Sequence, residues 1–515
     1  MLSCLFFILP QISSWDYDYL TAGYSALDLD RLCPRLGCDD QPEEYCLGDD
    51  TAETLEDHGG VARGAKLAIF DILDDYHGMG IDMAGNGMWE PAMEAGSKLS
   101  SNSWGASAYC EYLPLDVVYD DFMYNNPEQL LIFAAGNDGE YDSSCTIGSP
   151  AIAKNTLAVG ASTSGPGRMT FTAEEGGPTD GESRVQDIDA MAYFSSIGPT
   201  LDNRIKPEVV APGDMVYSAA GSGTGEYTCR LWQYAGTSMA TPIVAGAAAL
   251  VRQYFTNETF YASDVQERGF CDSFGCEAFA PSAATVKAML INSANLMGGS
   301  SEPNGVRGFG RVHLEPGMPL RGEGEGALFV ADSAVTSTAE LSLTTYSFSV
   351  DAAAGLDLRA TLSWIDPPAT AFSSIQLVHD LDLAVYSPSG FRYTMWTSGE
   401  VDALNNNERI IVPAEDILAT TSSSDGDTGA TWTVRVWSKQ LAGSETQSYS
   451  LVVTGAIGPP SSGDIVGDGS AVAAAVAVEE ASEEQPISAA GLPARGGLVN
   501  VAVAIVAAAA AIAVT

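Results

Sequence analysis

Positive charge is what this chain has least of: 23 lysines and arginines stand against 67 aspartates and glutamates in 515 residues, a formal net charge of −44. Such a field repels phosphate backbones, which excludes nucleic acid as a partner and fits solubility in a salty or extracellular medium. Histidine is scarce too, at four residues, so chemistry that needs an imidazole has few candidates. No C-x-x-C pair occurs among the nine cysteines, and no histidine lies near the close sets Cys33, Cys38, Cys46 and Cys271, Cys276, which argues against zinc. A D-x-D-x-D-G loop is also missing. The surplus carboxylates could ligate structural calcium, but no segment locates a site.

What remains is a globular composition, 46% hydrophobic, in a chain long enough for two or three domains. The cysteines fall mostly in polar loops between an apolar start and an apolar end, which predicts disulfides in an oxidising compartment, with Cys4 as the odd thiol.

The chain is organised around Gly236-Thr237-Ser238-Met239-Ala240-Thr241-Pro242 and the small-residue run at 243–250. This pattern predicts an apolar, alanine-rich helix with Ser238 at its start, beside unpaired backbone N–H groups and the positive end of the helix dipole. A hydroxyl there can act as a nucleophile and help hold the oxyanion it makes. An ordinary Ser or Thr N-cap uses the same position. All seven residues, however, resemble the nucleophile motif of the subtilisin-like serine peptidases, the subtilases.

Other segments carry the same resemblance in the family's order. LIFAAGNDG at 131–139 is similar to the strand and turn that bear the oxyanion asparagine, which falls on Asn137 after Gly136. SNSWG at 101–105 resembles the segment whose backbone, at Ser103, Trp104 and Gly105, pairs with an extended substrate. GVARGAKLAIFDI from 60 resembles the G-V-A-P-G turn and following strand, with Arg63 in place of proline, and GFGRVHL at 308–314 resembles the closing motif. The resemblance implies a serine endopeptidase: Ser238 and Asn137 catalytic, and Ser103, Trp104, Gly105, Gly136, Ser149, Pro150, Gly236 and Thr237 shaping the substrate site. It requires no cofactor, and its partners are protein or peptide substrates.

Short buried strands at 65–72, 130–135 and 156–160 alternate with helix-like segments at 91–96, 116–125 and 283–296, which predicts an α/β fold with a doubly wound parallel sheet over 58–322. From 326 to 457 the texture changes to alternating apolar and polar runs separated by Ser, Gly, Asp and Asn turns, which predicts an antiparallel β-sandwich. LVHDLDLAVYSPSG at 377–390 resembles the sandwich domain that follows the catalytic domain in some secreted subtilases; His379, where asparagine is usual, reads as packing or surface. Residues 1–57 read as a leader-like apolar run followed by an acidic, cysteine-bearing loop. Residues 458–497 read as a flexible linker, and 498–515 as an apolar tail suited to a membrane span or a GPI signal. The expected location is extracellular or cell-surface.

Serine acyl transfer needs a base and an orienting carboxylate. Before Asn137 the only histidines are His58 and His77, neither in the family's H-G-T-H surroundings, and no D-[ST]-G segment occurs in the first 59 residues. The sequence holds the second half of such a site without the first. The expected explanation is a chain that begins inside a longer, active peptidase. The alternatives are a non-catalytic relative that binds peptides, and an adhesion protein working through its sandwich.

Overall fold

The computed structural model describes residues 4–9, 25–27, 60–62, 64–71, 89–139, 145–164, 168–169, 184–185, 189–220, 230–272, 275–298, 302–318, 326–337, 343–421, 430–440 and 446–465. The continuous apolar runs of the first half become strands of one sheet: β1 (Cys4–Leu9), β2 (Ser25–Leu27), β3 (Lys66–Asp71), β4 (Leu99–Asn102), β6 (Leu130–Ala134), β8 (Leu157–Ser162) and β11 (Val209–Pro212). Their order is β11-β8-β6-β4-β1-β3-β2. The pairs β4/β6, β6/β8 and β8/β11 are parallel, and every residue of β4, β6 and β8 is buried, as strands covered on both faces require.

The leader-like run at the start is placed differently from expectation. Cys4–Leu9 lies between β3 and β4 and pairs antiparallel with both, Leu5 opposite Phe70 on one side and Asn102 on the other. CLFFIL has no charged or turn residue, so it meets the needs of an inner strand as readily as those of a leader. In the stretch expected to be loop, β2 pairs with β3.

The remaining small strands of this half are two-stranded ribbons: β5 (Ala106–Ser107) with β7 (Gly148–Ser149), β9 (Arg168–Met169) with β10 (Arg184–Val185), and β12 (Val216–Ala220) with β13 (Arg230–Tyr234). Around the sheet stand α1 (Glu90–Glu94), α2 (Pro114–Asn125), α3 (Thr237–Thr256), α4 (Glu258–Arg268) and α5 (Ala283–Ser293). α2 starts where proline is pre-organised and where the Asp116 side chain accepts the Leu113 N–H at 2.7 Å. α3 lies against β4, β6, β8 and β11 through Ala240, Val244, Ala245, Ala248 and Val251. Its small residues let the backbones approach: a Cβ on Gly246 would stand 2.8 Å from the Val61 Cβ.

The second half is a sandwich. One sheet has four strands, β14 (Ala327–Ser337), β16 (Leu358–Trp364), β19 (Asn407–Val412) and β21 (Thr446–Gly455), in the order β14-β21-β16-β19. The other has five, β15 (Leu343–Val350), β17 (Asp380–Tyr386), β18 (Arg392–Tyr393), β20 (Ala430–Gln440) and β22 (Ser461–Ile465), in the order β18-β17-β20-β15-β22. A helix, α6 (Ala414–Thr421), follows β19. Alternate residues of both sheets fill one core: Leu358, Ala360, Leu362 and Trp364 face Trp432, Val434 and Val436. The sheet continues past the expected start of the linker, since β22 pairs with β15. The rest of that linker and the apolar tail lie outside the described residues. Among the described residues no helix is long and apolar enough to cross a membrane.

The outer face of the four-stranded sheet is apolar as well, with Leu328, Val330 and Val452 joining the core of the first half. α5 lies in between, against α3 on one side and β16 and β21 on the other, and all eleven of its residues are buried. That is why its polar residues are bonded too: Lys287 Nζ donates to the Asn155 carbonyl at 3.1 Å and Asn292 Nδ2 to the Thr454 hydroxyl at 2.8 Å.

Candidate active site

The start of α3 sets the geometry. Gly236 has φ of 149°, a conformation that favours glycine, and turns the chain into the helix. Two residues on, Ser238 sits in the first turn, where N–H groups have no helical partner. Pro242 lies within the helix and has no N–H to give to the carbonyl four residues back, which is that of Ser238. The Ser103 hydroxyl supplies the missing donor, at 2.9 Å from the Ser238 carbonyl oxygen. The serine Oγ in turn lies 3.5 Å from the Ser103 carbonyl. Proline in the helix and serine on the strand edge thus hold Ser238 and the edge together.

The Asn137 turn meets the same helix start. Asn137 Oδ1 accepts the Thr237 N–H at 2.9 Å and lies 3.1 Å from the Thr237 hydroxyl. With its oxygen committed to the helix, the side-chain amide keeps its NH₂ as the free donor. Thr237 is fully buried; its hydroxyl also lies 3.2 Å from the Gly136 carbonyl, and it braces the turn. Gly136 has φ of 115°, and a Cβ there would meet the Ser196 Oγ at 2.7 Å. Ser196 Oγ itself accepts the Asp138 N–H at 3.1 Å, so the FSSIGP segment cradles the turn from behind.

The predicted substrate edge leads into one two-stranded ribbon, β5 with β7. Beyond Ser103 the chain passes Gly105, where a Cβ would stand 3.0 Å from the Ser149 carbonyl, and enters β5, in which Ala106 pairs with Ser149 and Ser107 with Gly148. Trp104 does not point into a cleft. It is 7% exposed and packs edge-on against Phe133 and Tyr119, so its contribution to an edge is its backbone. Each such aromatic pair adds about 0.5–1.5 kcal/mol beyond area burial. Ser149 and Pro150 are buried and joined by a cis peptide bond.

Asp116 is a site residue that the sequence reading missed. Its carboxylate accepts the Ser149 hydroxyl at 2.8 Å while also capping α2, and burial pushes it up to about 7 against the lowering effect of those two hydrogen bonds. An acidic residue at the third position of a proline-led helix signals a cap; nothing in the sequence pairs it with Ser149. The disulfide Cys110–Cys145 closes the same region, joining the segment after β5 to the one before β7. Cys271–Cys276 is the second disulfide among the described residues.

The structure therefore gathers Gly236, Thr237, Ser238, Gly136, Asn137, Ser103 and Gly105 at one end of the sheet, with Ser149 and Pro150 behind the edge. His58 and His77 lie outside the described residues. His379 is buried in the sandwich, its Nδ1 2.7 Å from Gln447 Oε1, and is a packing residue. His313 bonds Asn295 and Glu315. Among the described residues no group of three or more His, Cys, Asp or Glu side chains could hold a metal ion.

The serine protease/ABC transporter B family protein tagD of Dictyostelium discoideum is 26% identical over 494 residues, covering 70% of this chain and 26% of that protein. Pyrolysin of Pyrococcus furiosus is 30% identical over 210 residues, 39% of this chain and 14% of pyrolysin. Subtilisin NAT of Bacillus subtilis subsp. natto is 39% identical over 118 residues, 23% of this chain and 22% of the relative. The chain spans only about a quarter of the length of the tagD-type relatives it matches. Residues 43–312 match the Subtilase family as a whole, from before the first strand motif to the closing GFGRVHL segment. With the serine helix, the asparagine turn and the strand edge meeting at one end of a parallel sheet, the chain belongs to the subtilase family of serine peptidases.

Proposed function

We propose that the protein is a secreted or cell-surface serine endopeptidase that hydrolyses peptide bonds through an acyl-enzyme on Ser238. Ser238 Oγ attacks the scissile carbonyl carbon and gives its proton to a general base, which no described residue supplies. The tetrahedral oxyanion accepts hydrogen bonds from the Asn137 side-chain NH₂ and the Ser238 backbone N–H. Its collapse breaks the C–N bond, the protonated base gives the proton to the departing amine, and water then hydrolyses the ester by the same steps in reverse order of partners. An extended substrate lies along Ser103 to Gly105, with its chain held by backbone hydrogen bonds rather than by the Trp104 ring.

The observation that carries this is the lock of Asn137 Oδ1 on the Thr237 N–H at 2.9 Å, beside a serine whose Oγ is 3.5 Å from the Ser103 carbonyl. It leaves the Asn137 NH₂ available as a donor next to the residue that precedes Ser238. The two disulfides and the acidic surface support an oxidising, extracellular setting. The test is labelling with a fluorophosphonate probe in protein purified from its source. Modification of Ser238, abolished in S238A, is the expected result. Folded protein that takes up no probe would leave the non-catalytic, peptide-binding relative as the function.

A further inference from the structure

We propose that Asp366, a residue of the sandwich, is a positioning residue for the substrate edge of the peptidase half, so that the sandwich is a working part of peptide binding. The inference rests on the peptide-binding role given above to Ser103–Gly105.

The lever is the turn at 148–156. Its front end is Gly148–Ser149, paired with β5 directly behind the edge. The turn is closed on itself: Ile152 N–H donates to the Gly148 carbonyl at 3.1 Å, Ala153 N–H to Pro150 at 3.2 Å, and the Thr156 hydroxyl lies 3.1 Å from the Ala153 carbonyl and 3.3 Å from that of Pro150. A body bonded at this many points moves as one piece, so force at its far end is felt at Ser149.

That far end, Lys154–Asn155, is held from both halves. Lys154 Nζ is fully buried, forms an ion pair with the Asp366 carboxylate and donates to the Gln376 carbonyl at 2.8 Å. Asn155 and Asp366 exchange a reciprocal pair of bonds: Asp366 N–H donates to Asn155 Oδ1 at 2.9 Å and Asn155 Nδ2 donates to the Asp366 carbonyl at 2.8 Å. Asn406 Nδ2 adds a third bond to Asn155 Oδ1 at 3.1 Å. The Asp366 carboxylate is oriented in turn by the Val378 and His379 N–H groups at 2.9 and 2.8 Å. From the peptidase side the turn has Asp120, whose carboxylate accepts the Lys154 and Asn155 N–H groups at 3.2 and 2.8 Å and whose carbonyl accepts Asn155 Nδ2 at 3.1 Å, then Lys287, whose Nζ donates to the Lys154 and Asn155 carbonyls at 3.3 and 3.1 Å, and Asp116 on Ser149. The substrate edge is therefore backed by a turn clamped between α2 and the sandwich, and the buried charge on the sandwich side is Asp366.

The test uses the full chain with S238A to stop turnover and fluorescein-labelled oxidised insulin B chain as the probe, its affinity read by anisotropy. The comparison is D366N against T361V, which removes the Thr361 bond to Asn292 elsewhere in the same interface. Temperatures are chosen equally far below each variant's Tm. D366N should weaken probe binding at least fivefold and raise amide hydrogen exchange across 146–156, while T361V leaves both near the parent values. Should D366N fail to fold, N406A, which cuts only one of the contacts to Asn155, is expected to do the same to a smaller but measurable degree, at least twofold. Binding by the parent that D366N (or N406A in its place) leaves above these thresholds, or that T361V weakens equally, overturns the inference alone. No binding by the parent overturns the peptide-binding role of the edge and this inference with it.

Discussion

Asn137 carries two duties that one substitution can separate. Its oxygen accepts the Thr237 N–H at 2.9 Å and so anchors the helix start; its NH₂ is the proposed oxyanion donor. Asn137→Ala removes both. Losing the donor should slow acylation about 10²- to 10³-fold, equivalent to about 2.7–4 kcal/mol, a range measured for the corresponding donor in subtilisin. Losing the acceptor leaves a backbone N–H at the start of a buried helix without its partner, which costs about 1–3 kcal/mol of stability. Asn137→Asp keeps an oxygen for Thr237 and places a negative charge at a helix N-terminus, where it is worth about 0.3–1 kcal/mol. It has no N–H to offer an oxyanion and repels one. The expected pattern is thus a lowered Tm for N137A alone, and a fall of at least a hundredfold in the rate of fluorophosphonate labelling for both variants. Equal labelling of wild type, N137A and N137D, with only N137A less stable, would show that Asn137 is a turn residue and refute the oxyanion role.

Three further outcomes follow from the structure. Asp116 is raised by burial to about 7 from an ordinary carboxylate value, so the native state binds its proton more tightly than the unfolded chain does; its contribution to stability is complete below about pH 4 and is lost as pH rises through 7. D116N, which can still accept from Leu113 and donate to Ser149, should flatten Tm against pH over that window, with its advantage over wild type growing toward pH 8. Arg409 reaches from β19 to cap the Ile291, Ala294 and Phe309 carbonyls at 2.7, 3.0 and 2.6 Å, and burial lowers it to about 9. R409M should therefore cost about 3 kcal/mol or more by denaturant unfolding, most of it from orphaned carbonyls rather than lost charge. The Cys110–Cys145 bridge spans 35 residues, for which chain entropy gives about 4 kcal/mol, so C110S/C145S should unfold at lower temperature and lose the sensitivity to reductant that this bridge gives the wild type.

Much of the candidate site was legible because its residues obey local rules. The Gly236 turn, the helix start at Ser238, the strand before Asn137 and the β-sandwich alternation of Leu358–Trp364 all follow from short-range pattern and fall where the pattern puts them. What was not legible depends on partners distant in sequence. An apolar run such as CLFFIL carries no period and no direction, so neither its place in the sheet nor its antiparallel sense could be read. Trp104 sits in a segment whose backbone role was clear, but which way its ring turns is decided by Tyr119 and Phe133. β19 begins with the polar run Asn-Glu-Arg, yet all three are buried: Asn407 accepts from Ser363, Glu408 from the Leu383 N–H, and Arg409 caps carbonyls of the other half. Lys154 and Asn155, both polar, are fully buried for the same reason.

The position of α5 bears on how the molecule could ever be divided. A helix buried all round belongs to both halves at once, and the chain passes directly from it, through 294–326, into the first strand of the sandwich. Cutting in that connection would not release two independent pieces: the front piece would carry a bare strip of alanine, valine, leucine and methionine into water, and the back piece the naked outer face of a sheet. Each fragment would seek its lost cover in a neighbour, so the expected fate of a clipped molecule is clumping, and the two lobes cannot be exchanged as cassettes with those of unrelated proteins.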